Sequence, residues 1–290
     1  MRLTTRTQLA AAAVAVTAAV LAGSAGVAAP APATGGDLKL YVFDCGVLLY
    51  NSVERFGYKA GEIEPTNLTD GCYLIDNPGK GTVVWDTGVI PDNMWAPGRP
   101  PPKKEYGEGV APLRTQLEQT GRKLEDITYV ALSHVHWDHV ANLYQFTKST
   151  WLTSAYTRGK VLSDEKGDKI DPSMFTPMKT APYKVVSDTE EFDVFGDGKV
   201  IRIPTPGHTP DSAVLLVRLK NHKPVILAGD LYHFRKDVET RLVTRGEEPA
   251  ALEAGRAKID ALAKRLGAEI WICHDYKEFK AQKKAPAFYD

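Results

Sequence analysis

The sequence predicts an α/β protein in which two mixed β-sheets pack face to face with helices outside. Two observations carry this expectation. Short apolar runs bounded by glycine and proline recur along the chain, while only two stretches show helical spacing. The runs also fall into two halves with helices set between them, the order expected of packed sheets covered on their outer faces. With 290 residues the chain is long enough to bury one sizeable core.

Residues 1–33 are set apart from that fold. Arg2 and Arg6 give a positive start, Leu9 to Ala22 is almost unbroken apolar sequence, and the small residues Gly26-Val27-Ala28-Ala29 follow. This is the build of a secretory signal peptide with a short Ala/Pro-rich leader, cut between Ala28 and Ala33. The run is short for a stable span. The expectation is an exported protein, periplasmic or secreted, without stable membrane anchoring after cleavage, whose single domain is 34–290.

Within that domain, Leu38 to Cys45, Cys72 to Asp76 and Thr82 to Asp86 read as strands, with Asn77-Pro78-Gly79 as a turn. Val110, Leu113 and Leu117 recur at helical spacing until Gly121. Ile127 to Leu132, Thr150 to Thr153, Lys184 to Val186, Val200 to Pro204, Ala213 to Leu219 and Val225 to Ala228 are further strands. Leu252, Ile259, Leu262 and Leu266 line one face of a helix that stops at Gly267. Glu269 to Cys273 is the last strand. Residues 92–108 and 155–182 read as irregular, and the first of these as an exposed loop near the site.

Lysine plus arginine balances aspartate plus glutamate at 36 each. No whole-chain field therefore favours nucleic acid or an anionic membrane, and a small molecule is the expected partner. The oligomeric state is open, a homodimer being one possibility. Of the three cysteines, a Cys45–Cys72 bridge is conceivable, but small buried thiols are the default for Cys45, Cys72 and Cys273. Strand alternation would point Cys273 away from the site of its neighbour His274.

The chemistry concentrates in Ser133-His134-Val135-His136-Trp137-Asp138-His139, directly after a buried strand. His134 and His136 are two apart and share a face of an extended segment. Asp138 and His139 follow as the chain turns. Imidazole and carboxylate are ligands for zinc and similar ions. Three more candidates sit at strand ends: His208 in Thr205-Pro206-Gly207-His208-Thr209, Asp230 after Val225 to Gly229, and His274 after Cys273. Together they complete two sites, with Asp230 able to bridge them. His222 falls in a solvated turn, and His233 is ambiguous.

These residues, in this order, together with Val84-Trp85-Asp86-Thr87-Gly88, resemble the metallo-β-lactamase superfamily over about residues 38–280. The resemblance implies an αββα sandwich with the site at one edge of the sheets. It implies two zinc ions, other divalent metals being possible. His134, His136 and His208 would hold one, Asp138, His139 and His274 the other, and Asp230 would bridge. Asp86 would orient a ligand histidine or brace its loop. Two such ions share a water and lower its pKa toward neutrality, so that a bridging hydroxide attacks an electrophilic centre, and Asp138 can carry a proton to the leaving group.

Asp230 argues against β-lactams, since enzymes of the superfamily that open them generally lack it. The chain ends sixteen residues past His274, short of the helical domain of glyoxalase II. It is most similar to the N-acyl homoserine lactonases. Those enzymes place a tyrosine three residues after the bridging aspartate. Here His233 keeps that register and Tyr232 stands one residue earlier, so both are catalytic candidates, with His233 preferred. A phosphotriesterase or general ester/lactone hydrolase is the close alternative. An iron redox protein lacks its expected glutamate and flavodoxin domain, and a non-catalytic module would not need all seven ligands. Trp95, Trp137, Phe146, Met174, Phe175 and Met178 are candidates for an apolar acyl pocket, each as readily core.

Overall fold

A computed structural model describes residues 36–95, 107–163 and 172–290, all within the unit Pro32–Asp290. The expected signal segment, residues 96–106 of the 92–108 loop and residues 164–171 of the irregular 155–182 stretch lie outside the described residues. Strands β1 (Lys39–Leu48), β2 (Leu68–Asn77), β3 (Gly81–Trp85), β4 (Tyr129–Ala131), β5 (Thr150–Thr153) and β6 (Tyr183–Val185) lie side by side in sequence order. A second sheet follows from β7 (Phe192–Asp193), β8 (Val200–Pro204), β9 (Ala213–Val217), β10 (Val225–Leu227) and β11 (Glu269–Trp271), in the order β11-β10-β9-β8-β7. The final strand β12 (Phe288–Tyr289) returns to pair with β1, giving the first sheet seven strands. Both sheets are mixed: β3 to β6 run parallel to one another and β10 runs parallel to β11, while the other pairs are antiparallel.

Alternation along each strand builds the layers. Leu40 and Val42 of β1 meet Leu215 and Val217 of β9 in the core between the sheets. Tyr41 and Phe43 point the other way, toward helix α1 (Leu113–Gln119) and the turn Pro172–Lys179. Val214 and Leu216 likewise face Leu252, Ile259 and Leu262, which come from the helix that precedes β11. Strands covered on both faces must be apolar on both, which is why β9 reads as an unbroken run. Each leucine or valine so buried contributes roughly 1.5–3 kcal/mol relative to exposure. The order is helix, sheet, sheet, helix: the αββα sandwich.

Five more α-helices follow α1: α2 (Trp137–Val140), α3 (Ala155–Leu162), α4 (Arg235–Thr240), the long α5 (Pro249–Leu266) and α6 (Tyr276–Ala281). Proline opens α5 and Gly267 closes it in the left-handed region, φ 62°. Among the described residues no helix is long and apolar enough to cross a membrane.

Several expectations are corrected. Val110 lies outside α1 and is 63% exposed, because Pro112 opens the helix one turn later. The stretch read as irregular contains α3, whose N-terminal Thr157 amide is satisfied by the Ser154 hydroxyl at 3.0 Å. The default of three thiols fails for two of them: Cys45 and Cys72 form a disulfide across β1 and β2. Antiparallel pairing brings their backbones to a Cα separation of 5.9 Å, within the ordinary range for a bridge. Cys273 is the buried free thiol.

Candidate metal centre

The site forms where chain leaves the ends of β3, β4, β8, β10 and β11, so each functional side chain is carried by a strand held in the core. β4 delivers Ser133 and His134. The backbone stays extended at His136, then turns into α2 with Asp138 and His139 on its first turn. β8 delivers His208 through Gly207, whose φ of 146° suits glycine and whose Cβ would fall 2.4 Å from the Leu252 amide nitrogen. β10 delivers Asp230 after Gly229, also at positive φ, where a Cβ would meet that of Ser133 at 2.8 Å. β11 delivers His274. Glycine at these two points lets loops from both sheets close on one centre.

The seven ligand candidates converge. His136 Nδ1 lies 2.9 Å from His134 Nε2 and 2.8 Å from His208 Nε2. Asp230 Oδ2 faces this group, 3.2 Å from His208 Nε2 and 3.7 Å from His134 Nε2. Its other oxygen, Oδ1, lies 3.1 Å from both His139 Nε2 and His274 Nε2. Asp138 Oδ2 stands 3.9 Å and 3.8 Å from those same two nitrogens. His134, His136, His208 and Asp230 make one group whose ligand atoms all lie within 4.8 Å of one another, and Asp138, His139 and His274 make another.

A divalent ion in each group fits these residues. His139 Nε2 and Asp230 Oδ1 are buried without a hydrogen-bond partner despite their proximity, which is costly unless something else satisfies them. Burial pushes His134 well below the ordinary histidine range and His136 down to about 4, so both present neutral lone pairs. Burial opposes charge on Asp230, but the imidazoles of His274 and His139 outweigh it and hold the carboxyl well below the usual range. Burial likewise opposes charge on His274, yet Asp230 raises it to about 9.

Outer partners set the ring orientations. Carboxylate and carbonyl oxygens only accept, so the ring nitrogen facing them must donate, which leaves the opposite nitrogen as the one that faces inward. His139 Nδ1 donates to Asp86 Oδ2 at 3.1 Å, while Asp86 Oδ1 accepts the Ser133 amide at 2.6 Å. His274 Nδ1 donates to the Thr69 carbonyl at 2.7 Å. His208 Nδ1 donates to Glu247 Oε1 at 2.7 Å. Sequence reasoning found Asp86 but missed Glu247 and Thr69. Glu247 stands just ahead of α5, where an acidic residue is ordinarily read as a complement to the helix N-terminus.

The two candidates beyond the ligands part company. His233 lies beneath the centre, with Nε2 3.4 Å from Asp230 Oδ2 and its ring parallel to that of His274 at 5.8 Å. Tyr232 points the other way: its fully buried ring packs in the core beside α5, and its hydroxyl donates to Asp260 at 2.7 Å and accepts from Arg241 at 3.0 Å. Adjacent residues on extended chain face opposite sides, and the site takes one of them. Cys273 is closer than alternation predicts, within 4.8 Å of ligand atoms of Asp230 and His274, with its thiol turned to the Gly229 carbonyl at 3.7 Å. His222 sits away from the centre, against the rings of Tyr289 and Trp271.

A cavity of about 370 Å³ opens onto the ligands, lined by Leu48, Phe56, Leu68 and Trp137 as well as by polar groups. Of the expected pocket residues only Trp137 lines it. Phe146, Phe175 and Met178 are buried in the core outside the seven-stranded sheet, with Met174 against them, and Trp95 packs beside Val89 and Ile90. The turn Pro172–Lys179 covers that outer face, so its apolar side chains serve packing.

Comparison with known proteins agrees with this fold. The family model of the metallo-beta-lactamase superfamily matches residues 71–274. The chain is 26% identical over 273 residues to an N-acyl homoserine lactonase AttM of Rhizobium radiobacter, covering 87% of this chain and 99% of that one. It is 21% identical over 262 residues to the N-acyl homoserine lactonase AiiA of Bacillus thuringiensis subsp. kurstaki, covering 86% and 98%. Among solved structures, a quorum-quenching N-acyl homoserine lactone lactonase superposes with a TM-score of 0.70 at 20% identity, over 88% of this chain and all of that one. AidC, described as a dizinc quorum-quenching lactonase, gives 0.61 at 18% identity, over 88% and 94%. Fold and family match agree: this chain belongs to the metallo-beta-lactamase superfamily.

Proposed function

We propose that the protein is an exported dizinc hydrolase that opens lactone rings, N-acyl homoserine lactones being the substrate class to test first. The observation that carries this reading is the position of Asp230, whose two oxygens face separate sets of imidazoles. His134, His136 and His208 would hold one ion, Asp138, His139 and His274 the other, with Asp230 shared. Two such ions, when bound, supply Lewis acidity and a nucleophile derived from water at neutral pH. Asp138, on the cavity wall, takes a proton from the attacking water and returns it to the leaving ring oxygen. His233 steadies Asp230 from below, while Leu48, Phe56, Leu68 and Trp137 offer an apolar wall for an acyl arm.

The relatives named as N-acyl homoserine lactonases support the substrate class. The apolar, small-residue segment at 9–29 supports export, and so does the disulfide, since such bonds persist in oxidising compartments. The test is pH-stat hydrolysis over acyl homoserine lactones, simple lactones, aryl esters, phosphotriesters and a carbapenem, with metal content measured on the same preparation. Lactones should be turned over fastest, with two zinc ions per chain. Faster phosphotriester hydrolysis, or stoichiometric iron with oxygen consumption, would replace this reading.

A further inference from the structure

The cavity beside the ligands carries two arginines for which the proposed chemistry has no use. Arg55 lies in the loop after β1, and Arg245 in the loop before α5. The Arg245 amide donates to the Arg55 carbonyl at 3.3 Å, so the two loops meet backbone to backbone. Both arginines line the same cavity as Asp138, Asp230 and His274. Arg55 is held in place: Nη1 donates to the Tyr50 hydroxyl at 3.0 Å, and the guanidinium lies 5.5 Å and 5.3 Å from the rings of Tyr50 and Phe56. Tyr50 is itself fixed, its amide donating to Asn67 Oδ1 at 3.0 Å.

Neither arginine meets a carboxylate among the described residues. The acidic groups of the cavity are engaged elsewhere. Asp138 and Asp230 face the imidazoles, and Glu247 accepts from His208 Nδ1 and from the Thr244 amide at 2.7 Å each. Two exposed arginines thus stand at the edge of the cavity, and neither is paired with a carboxylate among the described residues. A guanidinium only donates, in a planar fork that matches a carboxylate.

We infer that Arg55 and Arg245 form a carboxylate-binding subsite, and that the substrate is a lactone whose short acyl arm ends in a carboxylate. The inference rests on the hydrolase reading above. With the ring ester at the ligand cluster, the arm runs along Leu48 and Phe56 to the two arginines, and the cavity volume keeps that arm short.

The test compares kcat/KM for two N-acyl lactones of equal arm length, one ending in methyl and one in carboxylate, at low and high ionic strength. The carboxylate arm should be favoured by about tenfold, mostly through KM, and salt should shrink the preference. Arg55→Ala and Arg245→Ala should each bring the ratio toward one, Arg245→Glu should invert it, and Arg245→Lys should keep part of it. Equal or better turnover of the neutral arm at low salt overturns the subsite while leaving the lactonase reading intact. So does an Arg→Ala loss that leaves the ratio unchanged. No turnover of either lactone by the wild-type protein defeats the parent reading, and the subsite with it.

Discussion

The two halves of the metal centre are built differently. One half arrives as a single segment: His134, His136, Asp138 and His139 follow β4 within six residues, and Asp86 braces the segment by holding both His139 and the Ser133 amide. The other half is assembled from three strand ends of the second sheet. His208 depends on Glu247, His274 on Thr69, and Asp230 on the close approach permitted by Gly229. A local cluster needs little beyond its own backbone to keep its ligands together. Dispersed ligands need the whole sheet, and each needs its own brace. The first half should therefore tolerate loss of packing better than the second, while depending heavily on one carboxylate.

The hardest blow to this comparison falls on Asp230, the strand-end residue that faces both groups of ligand imidazoles. Asp230→Asn should lower kcat by more than about 100-fold and reduce bound metal below two per chain, read by metal analysis beside kinetics. Retention of two metals with near-native turnover would mean that the two ion sites are not joined through Asp230. Next come the braces. Asp86→Ala and Glu247→Ala should each cost about 10- to 100-fold in metal affinity, by chelator competition. Asp86→Ala should weaken the ion held by Asp138, His139 and His274, and Glu247→Ala the one held by His134, His136 and His208, so stepwise titration separates them.

A smaller effect concerns pH. In metal-free protein Asp230 raises His274 to about 9 against an ordinary 6.5. The stability this contributes is present below about 6.5 and lost as pH rises through about 9. An ion entering that group must displace the proton, so zinc affinity should rise with pH by up to about tenfold per unit until His274 is neutral. A flat profile between pH 6.5 and 8.5 would show that His274 is not protonated in the metal-free state. The smallest effect is expected at Tyr232→Phe. It removes hydrogen bonds to Asp260 and Arg241 on the far side from the cavity, costing about 1 kcal/mol in chemical denaturation with kcat nearly unchanged. A large loss of kcat would place Tyr232 in the reaction after all.

Legibility followed the range of the forces involved. The strands and α5 announce themselves because burial on two faces writes continuous apolar runs, and burial on one face writes a helical stripe. Short elements such as α3, α4, α6 and β12 were missed, since their residues are placed by neighbours more than by their own pattern. The ligands were legible because each ends an apolar strand with a polar residue. Glu247 left no such mark: its spacing to His208 is a product of how α5 lies across the second sheet. The acyl-pocket residues misled for a related reason, an apolar side chain in a loop looking the same whether it faces a cavity or a core.

The sequence by itself determined the layered fold, the seven ligand candidates and their order, because hydrophobic alternation and strand-end chemistry are written in neighbouring residues. It also restricted the residue beyond the bridging aspartate to Tyr232 or His233. The register already preferred His233, and the tertiary structure turns Tyr232 to the helix side and sets His233 beside Asp230. It also joined Cys45 to Cys72, brought Glu247 to His208, and set Arg55 against Arg245. Those are contacts between residues distant in the chain, and their pairing follows only once both sheets have packed.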